Sequence, residues 1–232
     1  MDQHTKDNWN QQALRLYRRY QLEVVEAFDL CPWAKRARLD GTVREVVCLD
    51  LDACSDSVLG IIDEWLKLPE LEIGLVLFPR LEIEREAFER FASRCLAADA
   101  ARKPLASTEF VLAAFHPDGP LSLESPERLI PYLRRTPDPT LQFVRVSALE
   151  RVRRGEANGT QFIDLSNLDL TTLDPRSWLP SSEPSLRERI ASTNHRTVCS
   201  APEAIARVLA ELRRDREQTY TELRATPGEA PP

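Results

Sequence analysis

Apolar positions between Trp9 and Leu30 recur three or four residues apart, at Ala13, Tyr17, Tyr20, Val24, Ala27 and Phe28. That spacing gathers them into one stripe of an α-helix. Cys31 continues the stripe. Pro32, which lacks an N–H and restricts the residue before it, ends the pattern and leaves Cys31 at a helix C-terminus on the buried side. Val43 to Leu51 is rich in valine and reads as a strand entered through the Asp40-Gly41 turn. Asp52 or Ser55 can cap the next helix, where Val58, Ile61, Ile62, Trp65 and Leu66 share a face until Pro69. Leu71 to Phe78 is almost wholly apolar in its second half, as a strand covered on both faces should be. A third helix over about Glu84 to Ala100 turns Phe88, Phe91, Ala92, Cys95 and Leu96 inward, with Cys95 a small core residue. Thr108 to Phe115 and Leu141 to Val146 read as the third and fourth strands.

Strands alternating with helices imply right-handed crossovers and a sheet that is at least partly parallel. The expected class is α/β, with α+β the alternative. It is a mixed four-stranded sheet with flanking helices, an N-terminal helix before it and a C-terminal helical extension after it. The fourth strand is free to pair antiparallel, and a ferredoxin-like arrangement and an open three-layer sheet both fit. The 24 residues from His116 to Pro139 hold six prolines, and connections of that length in compact domains tend to carry function. Ser125-Pro126 starts a short helix that Leu129, Ile130, Tyr132 and Leu133 can pack down, which suits a lid or a pocket wall.

Beyond Arg154 the pattern weakens. Asn158-Gly159 signals a turn, Phe162 to Leu165 a short strand or edge segment, and 166–184 a loop. A short helix near Leu186 to Ala191 follows, and Ser200-Ala201-Pro202-Glu203 has capping-box spacing for a last helix reaching past Leu212. The expected organisation is a main domain over 1–155, an extension packed on it over 156–224, and a disordered Pro/Gly-rich tail over 225–232.

A chain of 232 residues can bury one sizeable core. Its net charge of −6 and pI near 5.3 argue against nucleic-acid binding, which needs a dominant basic surface. The small basic clusters Lys35/Arg36/Arg38, Arg134/Arg135 and Arg151/Arg153/Arg154 read singly as solvated helix ends and turns. The cysteines number five, and no Cys-x-x-Cys pair occurs, which disfavours a disulfide framework and a zinc knuckle. The N-terminus has no apolar signal core, and the apolar runs are too short to span a bilayer, so a reducing cytoplasm and no membrane partner are expected. There is no Gly-rich phosphate loop, His-Glu-x-x-His or Gly-x-Ser-x-Gly, and no cofactor is named by the sequence.

The candidate chemistry sits beside prolines. His116, directly after the third strand, has an ordinary pKa of about 6.5 that suits proton transfer, and ligands of open α/β sheets bind beyond strand carboxyl ends. Asp118 could orient its imidazole or cap the turn, and His116 could equally brace the proline-rich loop. Cys31 is a candidate nucleophile if His116, Lys35 or Arg36 lowers its pKa. The negative end of the helix opposes a thiolate there, and an inert buried cysteine is the competing picture. Arg135, bracketed by Pro137 and Pro139, could hold a carboxylate or phosphate bidentately. Trp33 stands as a pocket rim or interface residue. Thr193-Asn194-His195-Arg196 is a second polar cluster that suits a helix end.

In four ordered blocks the chain resembles a bacterial family catalogued as domain of unknown function 1415. The blocks are Leu30-Cys31-Pro32-Trp33-Ala34-Lys35, Leu77-Phe78-Pro79, Phe115-His116-Pro117-Asp118, and Arg135-Thr136-Pro137-Asp138-Pro139-Thr140-Leu141 followed by Ser147-Ala148-Leu149-Glu150-Arg151. The likeness covers roughly residues 15 to 155. It departs at Trp33, where the family has Phe, and at Gly119-Pro120, where an aromatic follows His-Pro-Asp. It departs again at Arg134, in place of Asn, and at Asp138, in place of an aromatic between the two prolines. The loss of two loop aromatics alters the apolar wall of any pocket there. The resemblance implies a shared fold and a shared Cys/His/Arg site, and it supplies no reaction.

Three functions fit these residues. The first is a small-molecule enzyme performing acyl transfer or hydrolysis. In it Cys31 is nucleophile or redox thiol, His116 base, Asp118 orienting group, and Arg135, Lys35 and Trp33 hold an anionic substrate. The second is a non-catalytic module for an anionic metabolite or peptide. The third is a metal or haem protein ligated by Cys31 and His116, although no ligand pair has a recognisable local spacing.

Overall fold

The strand β2 (Ile73–Leu77) shows how the layers form. Ile73, Leu75 and Leu77 face one side of the sheet, and Val76 and the following Phe78 face the other. Both sides must therefore be covered, and both are. Strand β1 (Val43–Val47) runs parallel to β2, whereas β4 (Thr140–Arg145) is antiparallel to both β2 and β3 (Phe110–Phe115), giving the order β1-β2-β4-β3. The computed structural model that shows this describes residues 1–31, 33–102, 109–156 and 186–225.

On one face α3 (Ser55–Leu66) and α4 (Arg85–Arg102) bring Trp65, Phe88 and Phe91 against Val76, Leu141 and Phe143. On the other face the cluster around Leu75 and Leu77 draws on α1 (Gln3–Tyr20), α5 (Pro126–Leu133), α7 (Leu186–Ser200) and α8 (Pro202–Ala225). The expected α/β class takes its open three-layer form, and the fourth strand is the antiparallel one. Strand β4 threads between β2 and β3 in the opposite direction. The carboxyl ends of β2 and β3 therefore meet the start of β4 at one end of the sheet. Two backbone bonds hold that end: the Phe78 N–H donates to the Pro139 carbonyl at 2.9 Å and the His116 N–H to the Arg134 carbonyl at 3.0 Å.

Several local features differ from the sequence expectation. The first helix does not run to Cys31. It widens after Tyr20 into a π-helical turn, Gln21–Glu26, in which bonds reach five residues back, such as Ala27 N–H to the Leu22 carbonyl at 3.1 Å. Asp29, at φ 50°, then ends it in the left-handed conformation that closes many helices, so the stop precedes Pro32. An additional helix, α2 (Ala34–Leu39), follows Cys31. Neither Asp52 nor Ser55 caps α3, whose N-cap position is Cys54 and makes no side-chain bond. Arg145, on β4, instead holds the opposite end of α3: its Nε donates to the Leu71 carbonyl and one Nη to the carbonyls of Trp65 and Leu68, at 2.8, 3.0 and 2.9 Å. Ser125 and Pro126 do open α5, the Ser125 hydroxyl accepting from the Arg128 N–H. A further helix, α6 (Val146–Glu156), leaves β4 directly. The predicted segment Phe162 to Leu165, the loop 166–184 and the tail after residue 225 lie outside the described residues. Among the described residues no helix is long and apolar enough to cross a membrane.

The C-terminal helix α8 lies against α1. The Trp9 and Tyr220 rings pack with centroids 4.7 Å apart. Asp215 accepts two bonds of 2.8 Å from the Arg15 guanidinium and is also paired with Arg19. The Arg15 bond, followed by that of Arg19, holds the Asp215 carboxyl well below the usual carboxylate range, against the opposing effect of burial. Because this folded-state pKa is depressed, the stabilisation is fully present above the unfolded value of about 3.9 and is lost only as pH falls towards the folded one. Asp215→Asn should therefore lower the unfolding free energy by about 1–2 kcal/mol at neutral pH, a partly exposed network discounted for solvent. Urea denaturation should show that difference closing as pH drops below about 3.

Candidate functional site

Beyond the carboxyl ends of β2 and β3 lies a cavity of about 620 Å³, between the loop that leaves β2, the proline-rich segment before β4, and α8. This is where ligands of open α/β sheets bind. His116, Asp118 and Arg135 all line it, so the structure brings together three of the sequence-predicted site residues.

His116 is 6% exposed, and both its ring nitrogens are occupied. The Asp118 backbone N–H donates to Nδ1 at 3.2 Å, so Nδ1 is an acceptor, and Nε2 must then donate to the Ile83 carbonyl at 2.9 Å. Both ring nitrogens are thus engaged, with no lone pair left for a substrate proton. His116 thus ties the turn after β3 to the segment before α4. Asp118 holds the ring through its backbone, while its carboxylate lies 4.0 Å from Nδ1 and 3.5 Å from Arg213.

Arg135 donates through Nε to the Gly119 carbonyl, and its guanidinium lies 4.8 Å over the Tyr132 ring. Gly119 is needed at that place: a Cβ there would come within 1.9 Å of the Pro131 carbonyl oxygen. Both terminal amines of Arg135 are without a partner among the described residues. Arg216 of α8 repeats the arrangement. Its Nε donates to Asp138 at 2.7 Å and its guanidinium lies 5.0 Å from the Tyr220 ring centroid, again leaving both terminal amines unengaged among the described residues. Two guanidinium forks, each fixed at its base and stacked on a tyrosine, therefore line one cavity.

Asp138 makes this possible. It is 1% exposed, and its carboxylate accepts from Arg216 Nε and from the Tyr220 hydroxyl, both at 2.7 Å. The hydroxyls of Thr136 and Thr140 donate to its carbonyl at 2.7 and 2.9 Å. Burial pushes the Asp138 carboxyl up, opposed by Arg216 and the Tyr220 hydroxyl. Elsewhere on the rim Arg213 pairs with Asp118 and Glu217 and Arg224 with Glu82, while Glu84 adds a further carboxylate. Arg216 and Tyr220 carried no local sequence signal. The one available cue was Asp138, a carboxylate between two prolines that demanded a distant partner.

Cys31 lies elsewhere. With Trp33 it lines a second cavity of about 560 Å³ against the α1 face of the sheet, and Tyr20 lines both cavities. Burial pushes the Cys31 thiol up; the backbone N–H groups of Trp33 and Ala34, which face the sulfur, oppose this only in part. Lys35 is exposed on α2 and lines neither cavity. The geometry accordingly brings together neither a Cys31–His116 nucleophile and base nor a shared metal or haem ligand pair. Among the described residues no three His, Cys, Asp or Glu side chains are grouped to hold a metal ion. His195, expected at a helix end, lies within α7 instead, where it bonds the Leu123 carbonyl at 2.9 Å and lines neither cavity.

The family model described as Protein of unknown function (DUF1415) matches residues 13–172, more than half of the chain, and the chain belongs to that family. No curated protein matches it, and no solved structure does. The matched region holds Arg135 and Asp138, whereas α8, with Arg216 and Tyr220, lies beyond it.

Removing one partner of the buried pair leaves the other charge uncompensated, so Asp138→Ala should cost about 3 kcal/mol in urea denaturation. Asp138→Ala combined with Arg216→Met should cost clearly less than the sum of the single changes. His116→Phe, which keeps the ring and loses both bonds, should cost about 1–2 kcal/mol.

Proposed function

We propose that this protein binds a small anionic molecule, bearing a carboxylate or phosphate group, in the cleft between Arg135 and Arg216. The observation that carries this is the pair of anchored, tyrosine-stacked guanidinium groups with unengaged terminal amines on the wall of one cavity. Arginine forks match carboxylate and phosphate geometry, and their fixed bases lower the entropy lost on binding. Apolar side chains such as Leu81, Leu209 and Leu212 line the same space and suit a ligand with an apolar body behind its charged group. His116 serves this site as a brace that sets the loop carrying Gly119, and through Gly119 the direction of Arg135. Five unpaired thiols suit a reducing cytoplasm as its setting.

Titration calorimetry with pyrophosphate and with citrate tests the proposal. Saturable binding of at least one of them is expected, weakening as salt rises. Arg135→Lys retains the charge and loses the fork, and should weaken that binding about tenfold or more, since a charge-assisted bond contributes about 1.5–3 kcal/mol. Absence of binding by both anions, or an affinity indifferent to Arg135→Lys, would contradict it.

A further inference from the structure

We propose that the second cavity, floored by the sheet and walled by α1 and the Cys31 turn, is a separate binding site for an uncharged, ring-bearing small molecule. Its volume of about 560 Å³ falls within the range of small-molecule pockets, about 300–1,000 Å³. Most of its lining is apolar, and Tyr17, Tyr20, Trp33 and Phe115 give it several aromatic surfaces.

The polar atoms on its walls point to a ligand. Gln21 is only 7% exposed, lines the cavity, and its side-chain amide has no hydrogen-bond partner among the described residues. An amide lining the cavity offers both a donor and an acceptor to a ligand. Tyr17, one helical turn earlier and 9% exposed, lines the cavity too, as does Gln142 of β4. Gln21 opens the π-helical turn, a distortion often found where a helix serves a site.

The ligand's charge follows from the same walls. Among the described lining residues Arg134 alone is charged at neutral pH, and it is already engaged, its guanidinium 5.7 Å from the Phe115 ring centroid. The Tyr17 phenol is pushed well above its ordinary range by burial, and the Cys31 thiol is raised as well, so both stay neutral. An anion belongs in the Arg135 cleft on the far side of Tyr20; this cavity offers amides, a phenol and a thiol.

The test uses the full chain and the uncharged fluorophore N-phenyl-1-naphthylamine. Saturable, blue-shifted emission is expected with one site per chain. Pyrophosphate should not displace it, and Arg135→Lys should leave it unchanged. Gln21→Glu, which places a carboxylate in the cavity, should weaken it at least tenfold. A second readout needs no variant: bound fluorophore should protect Cys31 from N-ethylmaleimide, read by peptide mass spectrometry, and leave exposed Cys54 and Cys199 unprotected. No saturable emission, displacement by pyrophosphate, or a Cys31 equally reactive with and without the fluorophore would overturn the proposal. So would a Cys31 that resists the maleimide throughout, because the cavity would then be closed to molecules of that size.

Discussion

The site depends on one buried carboxylate. Asp138 sits between two prolines at the entry to β4, where the Thr136 and Thr140 hydroxyls hold its carbonyl, and it receives Arg216 and Tyr220 from a helix some eighty residues later in the chain. Buried ion pairs are poor sources of net stability, because desolvation consumes most of their attraction. The consequence here is positional. The pair sets the rotation of α8 about its axis, and with it the side of the cavity that Arg216 occupies. Asp215, one residue earlier on α8, turns the other way to Arg15 and Arg19. Successive acidic and basic side chains thus hold one helix against both the sheet end and α1.

A second constraint works on the opposite wall. The proline-rich segment after β3 would be free to move if it were held by its few apolar contacts alone. His116 stops that by bridging Ile83 and Asp118, and Gly119 lets the chain pass against α5 closely enough to offer its carbonyl to Arg135. The imidazole spends both nitrogens on structure. The same residues that looked like an acid–base pair therefore hold the turn that sets Gly119 beside Arg135.

The core of the fold was legible because burial imposes periodicity. Strand β2 and the inward faces of α3 and α4 could be read from Leu75, Val76, Trp65, Phe88 and Phe91, since each must meet an apolar neighbour whatever the topology. The three-layer form was open, because a fourth strand of either direction satisfies the same pattern. The end of the first helix was misplaced, because Pro32 is visible in sequence whereas a π-helical turn and a left-handed Asp29 are not. Site residues divided the same way. His116 and Arg135 stood out beside prolines and do share a cavity, but Cys31 could be placed in it only by a guess at tertiary proximity, and the turn after Asp29 carries it to another. Arg216 was invisible among the arginines of the last helix, because its partner Asp138 lies 78 residues away in the chain.

We propose that Arg135 and Arg216 bind one anion together. A crystal structure of the full chain grown with tungstate addresses it most directly, since tungsten's anomalous signal locates the anion without ambiguity. An anion is expected within hydrogen-bond distance of the terminal amines of both arginines, with Arg216 Nε still on Asp138. Tungstate found only at rim residues such as Arg213 and Arg224, or an Arg216 turned away from Asp138, would contradict it.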